Sequence, residues 1–233
     1  MRLNSFDRGD ISFSARRGQI IGVVGSGGAG KSALLNLIPR LCDAISGSVI
    51  VDGVDVRRQN PHDLRARIGA VSQQPLLFQG SIRDNLRWGD PGADDGVLME
   101  AICAAQADDI LCELGGLDAQ IEQGGGNLSE SQRQRLAIAR ALVRRPEILI
   151  LDDSTSAMDL ISEARLRMAL RRLPYRPTVF IASRRMESVR YADRILVLDG
   201  GRLMGIGHHE QLLEHCPIYR DLCKSQIQQE ASA

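Results

Sequence analysis

The chain is 233 residues long, 43% hydrophobic and 25% charged, which suits an α/β domain with a sizeable core. Its 29 basic and 29 acidic residues balance to a net charge of +0, giving no support for a nucleic-acid partner. No apolar stretch approaches the roughly 20 residues of a membrane-spanning helix, and no basic-then-apolar leader opens the sequence, so a cytosolic chain is expected. The five cysteines, Cys42, Cys103, Cys112, Cys216 and Cys223, lack C-x-x-C spacing and fit a reducing compartment. Most of them are expected to be buried thiols.

In chain order, Ile11-Ser12-Phe13 reads as a short strand and residues 19–24 as a continuously apolar one. Gly25-Ser26-Gly27-Gly28-Ala29-Gly30-Lys31-Ser32 follows, matching G-x-x-x-x-G-K-S, and residues 33–38 are helix-prone. A strand, a glycine-rich loop and a helix in that order aim backbone N–H groups at a bound phosphate. Lys31 would reach the β- and γ-phosphates of ATP, and the Ser32 hydroxyl would ligate Mg²⁺. Only Lys31 and Lys224 are lysines; arginine serves everywhere else, yet the loop keeps a compact ammonium.

Residues 48–51 and 68–71 read as further strands. From 76 to 143 the strand signal gives way to helical periodicity, expected to be a helical insertion in the α/β core. Within it Ser129 and Gln132 have the S-x-x-Q spacing of a capping box, so Ser129 starts a helix. Ile148-Leu149-Ile150-Leu151-Asp152-Asp153 is a buried strand ending in two carboxylates. The first can hold Mg²⁺ beside the phosphates, and the second can orient an attacking water. Residues 178–181 and 194–198 are strands, with Asp199-Gly200-Gly201 turning the chain onto an edge hairpin at 202–204. His208 and His209 open a helix, and the polar tail 226–233 is expected to fray.

These motifs, in this order, resemble those of the ABC ATPases, and the resemblance covers nearly the whole chain. Leu128-Ser129-Glu130-Ser131-Gln132 is similar to the family's signature loop, Gln73 to its Q-loop glutamine, and Ser156-Ala157-Met158-Asp159 to its D-loop. Glu122-Gln123-Gly124-Gly125 and Ser81-Ile82-Arg83-Asp84-Asn85-Leu86 are similar to exporter sequence. The resemblance implies a single domain over 1–233: a P-loop NTPase (RecA-like) core with a parallel sheet at 1–75 and 144–233, and a helical signalling subdomain at 76–143. It implies Mg-ATP bound between paired domains, with the phosphate loop of one facing Ser129 and Gln132 of the other. Gln73 would join Ser32 and Asp152 at the metal, and Gln73, Asp153 and Ser183 occupy the catalytic positions. The implied partners are a second ABC ATPase domain and the transmembrane part of an exporter, with no nucleic acid, at the cytoplasmic side of the cell membrane.

The sequence departs from that family at the site. Asp153 stands where glutamate is usual, one methylene short, and displacement of about 1 Å can cost on the order of 10²-fold in rate. Ser183 replaces the switch histidine, and Glu130 and Ser131 replace two signature glycines that let backbone approach the phosphate. The N-terminal antiparallel β region is expected to be partly missing, leaving Phe6 as the candidate to stack on adenine. Asp153 with Ser183 resembles the degenerate subunit of heterodimeric exporters, which hydrolyses ATP weakly. A non-hydrolysing regulatory module stays open as an alternative because of these departures. So does a soluble ABC-type ATPase, though residues 122–125 and the neutral charge speak against it.

Overall fold

The computed structural model describes residues 2–4 and 11–230. The chain opens with β1 (Arg2–Asn4), β2 (Phe13–Ser14), β3 (Ile20–Val24), α1 (Lys31–Asn36), β4 (Ser48–Val51) and β5 (Val54–Asp55). It continues through α2 (Pro61–Ala66), β6 (Ile68–Val71), β7 (Gly80–Ser81), α3 (Ile82–Arg87), α4 (Asp95–Ala104), α5 (Asp108–Leu114), β8 (Gln120–Ile121) and α6 (Glu130–Val143). Then come β9 (Ile148–Asp152), α7 (Leu160–Arg172), β10 (Thr178–Ala182), α8 (Met186–Val189) and β11 (Arg194–Asp199). The last elements are β12 (Arg202–Gly207), α9 (His209–His215) and α10 (Pro217–Glu230).

The main sheet has the order β12-β11-β3-β10-β9-β6. Its neighbours run parallel except the β11–β12 edge hairpin, as the turn at Asp199 predicts. Strands β3 and β10 are buried along their whole length, which a sheet covered on both faces requires. Side chains alternate between the two faces with period two. Ile20, Val24, Leu149 and Leu151 join one apolar core, with α3, α4, α6 and α7. Ile21, Val23, Ile148 and Ile150 join the other, which includes Leu34 and Leu35 of α1. That second core is closed by an antiparallel sheet of order β2-β1-β4-β5, and Phe13 meets Phe180 edge-on at 6.4 Å across the two sheets.

The antiparallel region, expected to be partly missing, thus contributes four strands. Phe6 lies outside the described residues. Stretch 76–143 carries the expected helices α3 to α6, and it also carries a short antiparallel pair, β7 with β8, that the sequence reading lacks. Strands of two residues are too short for alternation to register. One apolar core runs unbroken from this stretch into the main sheet, joining Ile82, Ile102 and Ile138 to Val71 and Leu151.

Two further expectations are corrected. Cys42, Cys103 and Cys112 are exposed, and Cys216 alone is fully buried. In α4 the buried Leu98 and Ile102 set the inward stripe, so Cys103 turns outward. Of the tail expected to fray, 226–230 continue α10, with Gln226 Oε1 accepting a hydrogen bond from Met186 N at 2.7 Å, while 231–233 lie outside the described residues. Among the described residues no helix is long and apolar enough to cross a membrane.

Candidate functional site

Strand register gathers the site. Ala182 of β10 lies opposite both Val23 of β3 and Asp152 of β9, and Val71 of β6 lies opposite Leu151. The four strands therefore end together, so Gly25, Ser183, Asp153 and Gln73 leave the sheet at one edge. In open α/β sheets that carboxyl edge is where ligands bind.

At that edge the loop after β3 is built to leave room. A Cβ on Gly25 would collide with the Leu198 carbonyl oxygen and approach the Ala29 Cβ to 2.8 Å. At Gly27 and Gly28 an added Cβ would meet nothing within 4 Å, so the rim of the loop is open. Ala29 is buried, and Gly30 caps α1 in a left-handed conformation with no side-chain bond to the helix end. The first N–H groups of α1 thus have no intrahelical partner. Ser32 is exposed on the first turn. We expect Gly25→Ala to destabilise the fold by about 3 kcal/mol through overpacking and backbone strain, read as a lower urea midpoint.

Lys31 folds back over the loop. Its Nζ donates to Gly25 O at 2.7 Å and to Ser26 O at 3.1 Å, and the residue is 9% exposed. Burial pulls its ammonium below the usual lysine range; the Asp153 and Asp152 carboxylates oppose that, while the Arg184 guanidinium adds to it. A bound polyphosphate would restore the charged form. Binding must then take up a proton at alkaline pH, and affinity for ATP should fall as pH rises through the alkaline range. A titration series over pH checks this; flat affinity would contradict it.

Asp152, half-buried, ends β9. Asp153 follows in a left-handed turn at φ 50°, which aspartate tolerates better than most residues, and its N–H donates to Ala182 O at 2.8 Å. Its Oδ2 accepts from Arg184 Nε at 3.2 Å. Ser183 is 1% exposed, and its Oγ accepts from Arg185 N at 3.0 Å. Gln73 is exposed beyond β6. The loop, both aspartates and the 183–184 segment are therefore brought together.

Ser129 and Gln132 stand elsewhere, at the start of α6. Ser129 Oγ accepts from Gln132 N at 3.2 Å and Gln132 Oε1 from Ser129 N at 2.9 Å, which is the predicted capping box. Gln132 Nε2 also donates to Glu113 Oε2 at 2.6 Å. From the same helix Gln134 Oε1 accepts from Ala157 N at 3.2 Å, tying α6 to the loop after Asp153.

Sequence reasoning missed Arg184 and Gln226. Gln226 Nε2 donates to Arg184 O, and Arg185 Nη1 donates to Met158 O at 3.0 Å. Adjacency to Ser183 was the one local signal for Arg184. Nothing local marks Gln226, which lies 40 residues from Met186.

Oxygen donors from Ser32, Gln73 and Asp152 are of the kind magnesium prefers, and the open loop with its buried ammonium suits a polyphosphate. Comparison with known proteins shows the family. Residues 9–156 match the ABC transporter family model. The chain belongs to the ABC transporter family. It is 42% identical over 220 residues to an uncharacterized ABC transporter ATP-binding protein of Mycobacterium tuberculosis (strain ATCC 25618 / H37Rv), covering 93% of this chain and 38% of that protein. It is 40% identical over 222 residues to the ATP-dependent lipid A-core flippase of Burkholderia thailandensis, covering 95% of this chain and 37% of the flippase. Among solved structures, a bacterial Atm1-family ABC exporter with ATP bound superimposes with a TM-score of 0.89 at 33% identity, over 93% of this chain and 38% of the exporter. This ABC chain thus spans less than two fifths of the length of these relatives.

Proposed function

We propose that this ABC chain is the ATP-binding domain of a membrane exporter, binding Mg-ATP and coupling its binding and weak, partner-dependent hydrolysis to transport. The observation that carries the reading is the shared strand edge, where the Lys31 loop, Asp152, Asp153 and Ser183 converge. In this proposal residues 25–32 cradle the phosphates, Ser32, Asp152 and Gln73 hold Mg²⁺, and Asp153 orients the attacking water. Bound there, Mg²⁺ would neutralise charge on the transferring phosphoryl group. At the start of α6, Ser129 and Gln132 bond to each other and Gln132 bonds to Glu113, which suits a site completed by a second domain paired head to tail. Residues 76–143 act as the signalling subdomain.

The transmembrane partner in this proposal holds the chain at the cytoplasmic side of the cell membrane, and the docking of a partner segment is supported by a groove of about 420 Å³. It lies beside Gln74, and its lining includes Leu76 and Trp88, which are 70% and 64% exposed. Trp88 stacks on Phe78 with centroids 4.7 Å apart, and the buried Asn85 pins Phe78 by bonds of 2.8 Å to both its N and O. A rigid exposed aromatic pair in a groove is the kind of anchor that receives a partner segment.

Hydrolysis is weak in this reading because the Asp153 carboxylate is one methylene short and because Ser183, sealed at 1% exposure, stands where an imidazole is usual. The purified chain should stay largely monomeric and turn over ATP below about 1 s⁻¹, the low end of ordinary enzymes. Single-turnover hydrolysis, alone and with a co-purifying transmembrane protein, tests it. Fast turnover by the chain alone would contradict the weak site. ATP binding with no hydrolysis under either condition would favour the regulatory module.

A further inference from the structure

Ser183 occupies the switch position but is sealed at 1% exposure, its Oγ turned to accept from Arg185 N. The next residue is different. The Arg184 side chain is 60% exposed, and its Nε lies 3.2 Å from Oδ2 of Asp153, which is only 11% exposed. A guanidinium carries five N–H donors in a planar fork, so one edge can hold a carboxylate while another takes a phosphate oxygen. The backbone carrying it is fixed on both sides. Ser183 N donates to Val23 O at 3.1 Å, Gln226 of α10 bonds both Arg184 O and Met186 N, and Arg185 Nη1 holds Met158 O. Only the Arg184 side chain is left to move.

We propose that Arg184 is the specificity-determining residue for the triphosphate: its guanidinium shifts from Asp153 towards the terminal phosphate when ATP binds, and stays on Asp153 when ADP binds. The inference rests on the reading of the Lys31 loop as a nucleotide site. Charge makes the exchange favourable. The edge holds Lys31 and Arg184 against Asp152 and Asp153, and Lys31 lies within the electrostatic reach of the other three. A third phosphate adds negative charge beside two carboxylates, and Arg184 is the exposed cation placed to balance it. ADP leaves that balance undisturbed.

The test is calorimetric Kd for Mg·ATP and Mg·ADP with the unaltered chain, Arg184→Ala, Arg184→Lys and Arg184→Ala in an Asp153→Asn background. Arg184→Ala should weaken ATP at least about tenfold while ADP changes less than about threefold, with Arg184→Lys between, since lysine keeps the charge without the fork. The ATP-selective loss should persist in the Asp153→Asn background. Equal loss for both nucleotides, no loss, or full recovery on neutralising Asp153 would overturn the role of Arg184. Failure of the unaltered chain to bind either nucleotide would instead overturn the nucleotide site, and this inference with it.

Discussion

Replacing Lys31 with alanine is expected to weaken Mg·ATP on the order of 100-fold, about 3 kcal/mol, because a desolvated cation facing a polyanion is lost. The fold should survive. Lys31 caps only two loop carbonyls, Gly25 O and Ser26 O, while β3 and α1 are held by the apolar cores. Titration with a fluorescent ATP analogue, with a melting curve as control, separates lost binding from lost structure. Affinity unchanged within about threefold, under 1 kcal/mol, would remove Lys31 from the site.

The second large effect is a gain. Asp153→Glu lengthens the carboxylate, Ser183→His restores an imidazole at the switch position, and Glu130→Gly with Ser131→Gly opens the start of α6. The structure shows why single changes should do little. Asp153 and Ser183 leave the sheet at one edge and Ser183 is sealed at 1% exposure, so groups acting in one transition state leave each single change limited by the others. The combined variant is expected to hydrolyse ATP at least about tenfold faster, roughly 1.4 kcal/mol of barrier, and to dimerise with ATP, whereas the single variants give little. Steady-state turnover and sedimentation with ATP decide this. No gain in either would contradict the proposal that these four positions limit hydrolysis.

Most of the fold was legible because its signals are local. Strands β3, β9 and β10 are covered on both faces, so they read as unbroken apolar runs. The Ser129 capping box is a spacing of three residues and forms as predicted. His208 and the turn before β12 were equally readable. The misses were long-range or outward-facing. The β7–β8 pair joins residues 39 and 41 apart, Ser81 with Gln120 and Gly80 with Ile121, through strands of two residues. Cys103 and Cys112 lie on amphipathic helices, where composition alone cannot assign a face. The Arg184–Asp153 pair and the Gln226 bonds depend on β9, β10 and α10 meeting, which no short motif encodes.

The most direct test of a nucleotide site at the shared strand edge is a calorimetric titration of the unaltered chain with Mg·ATP. Saturable binding of one nucleotide per chain, weakened when magnesium is chelated, is the predicted result. No saturable binding at millimolar Mg·ATP, about −4 kcal/mol or weaker, would contradict the account.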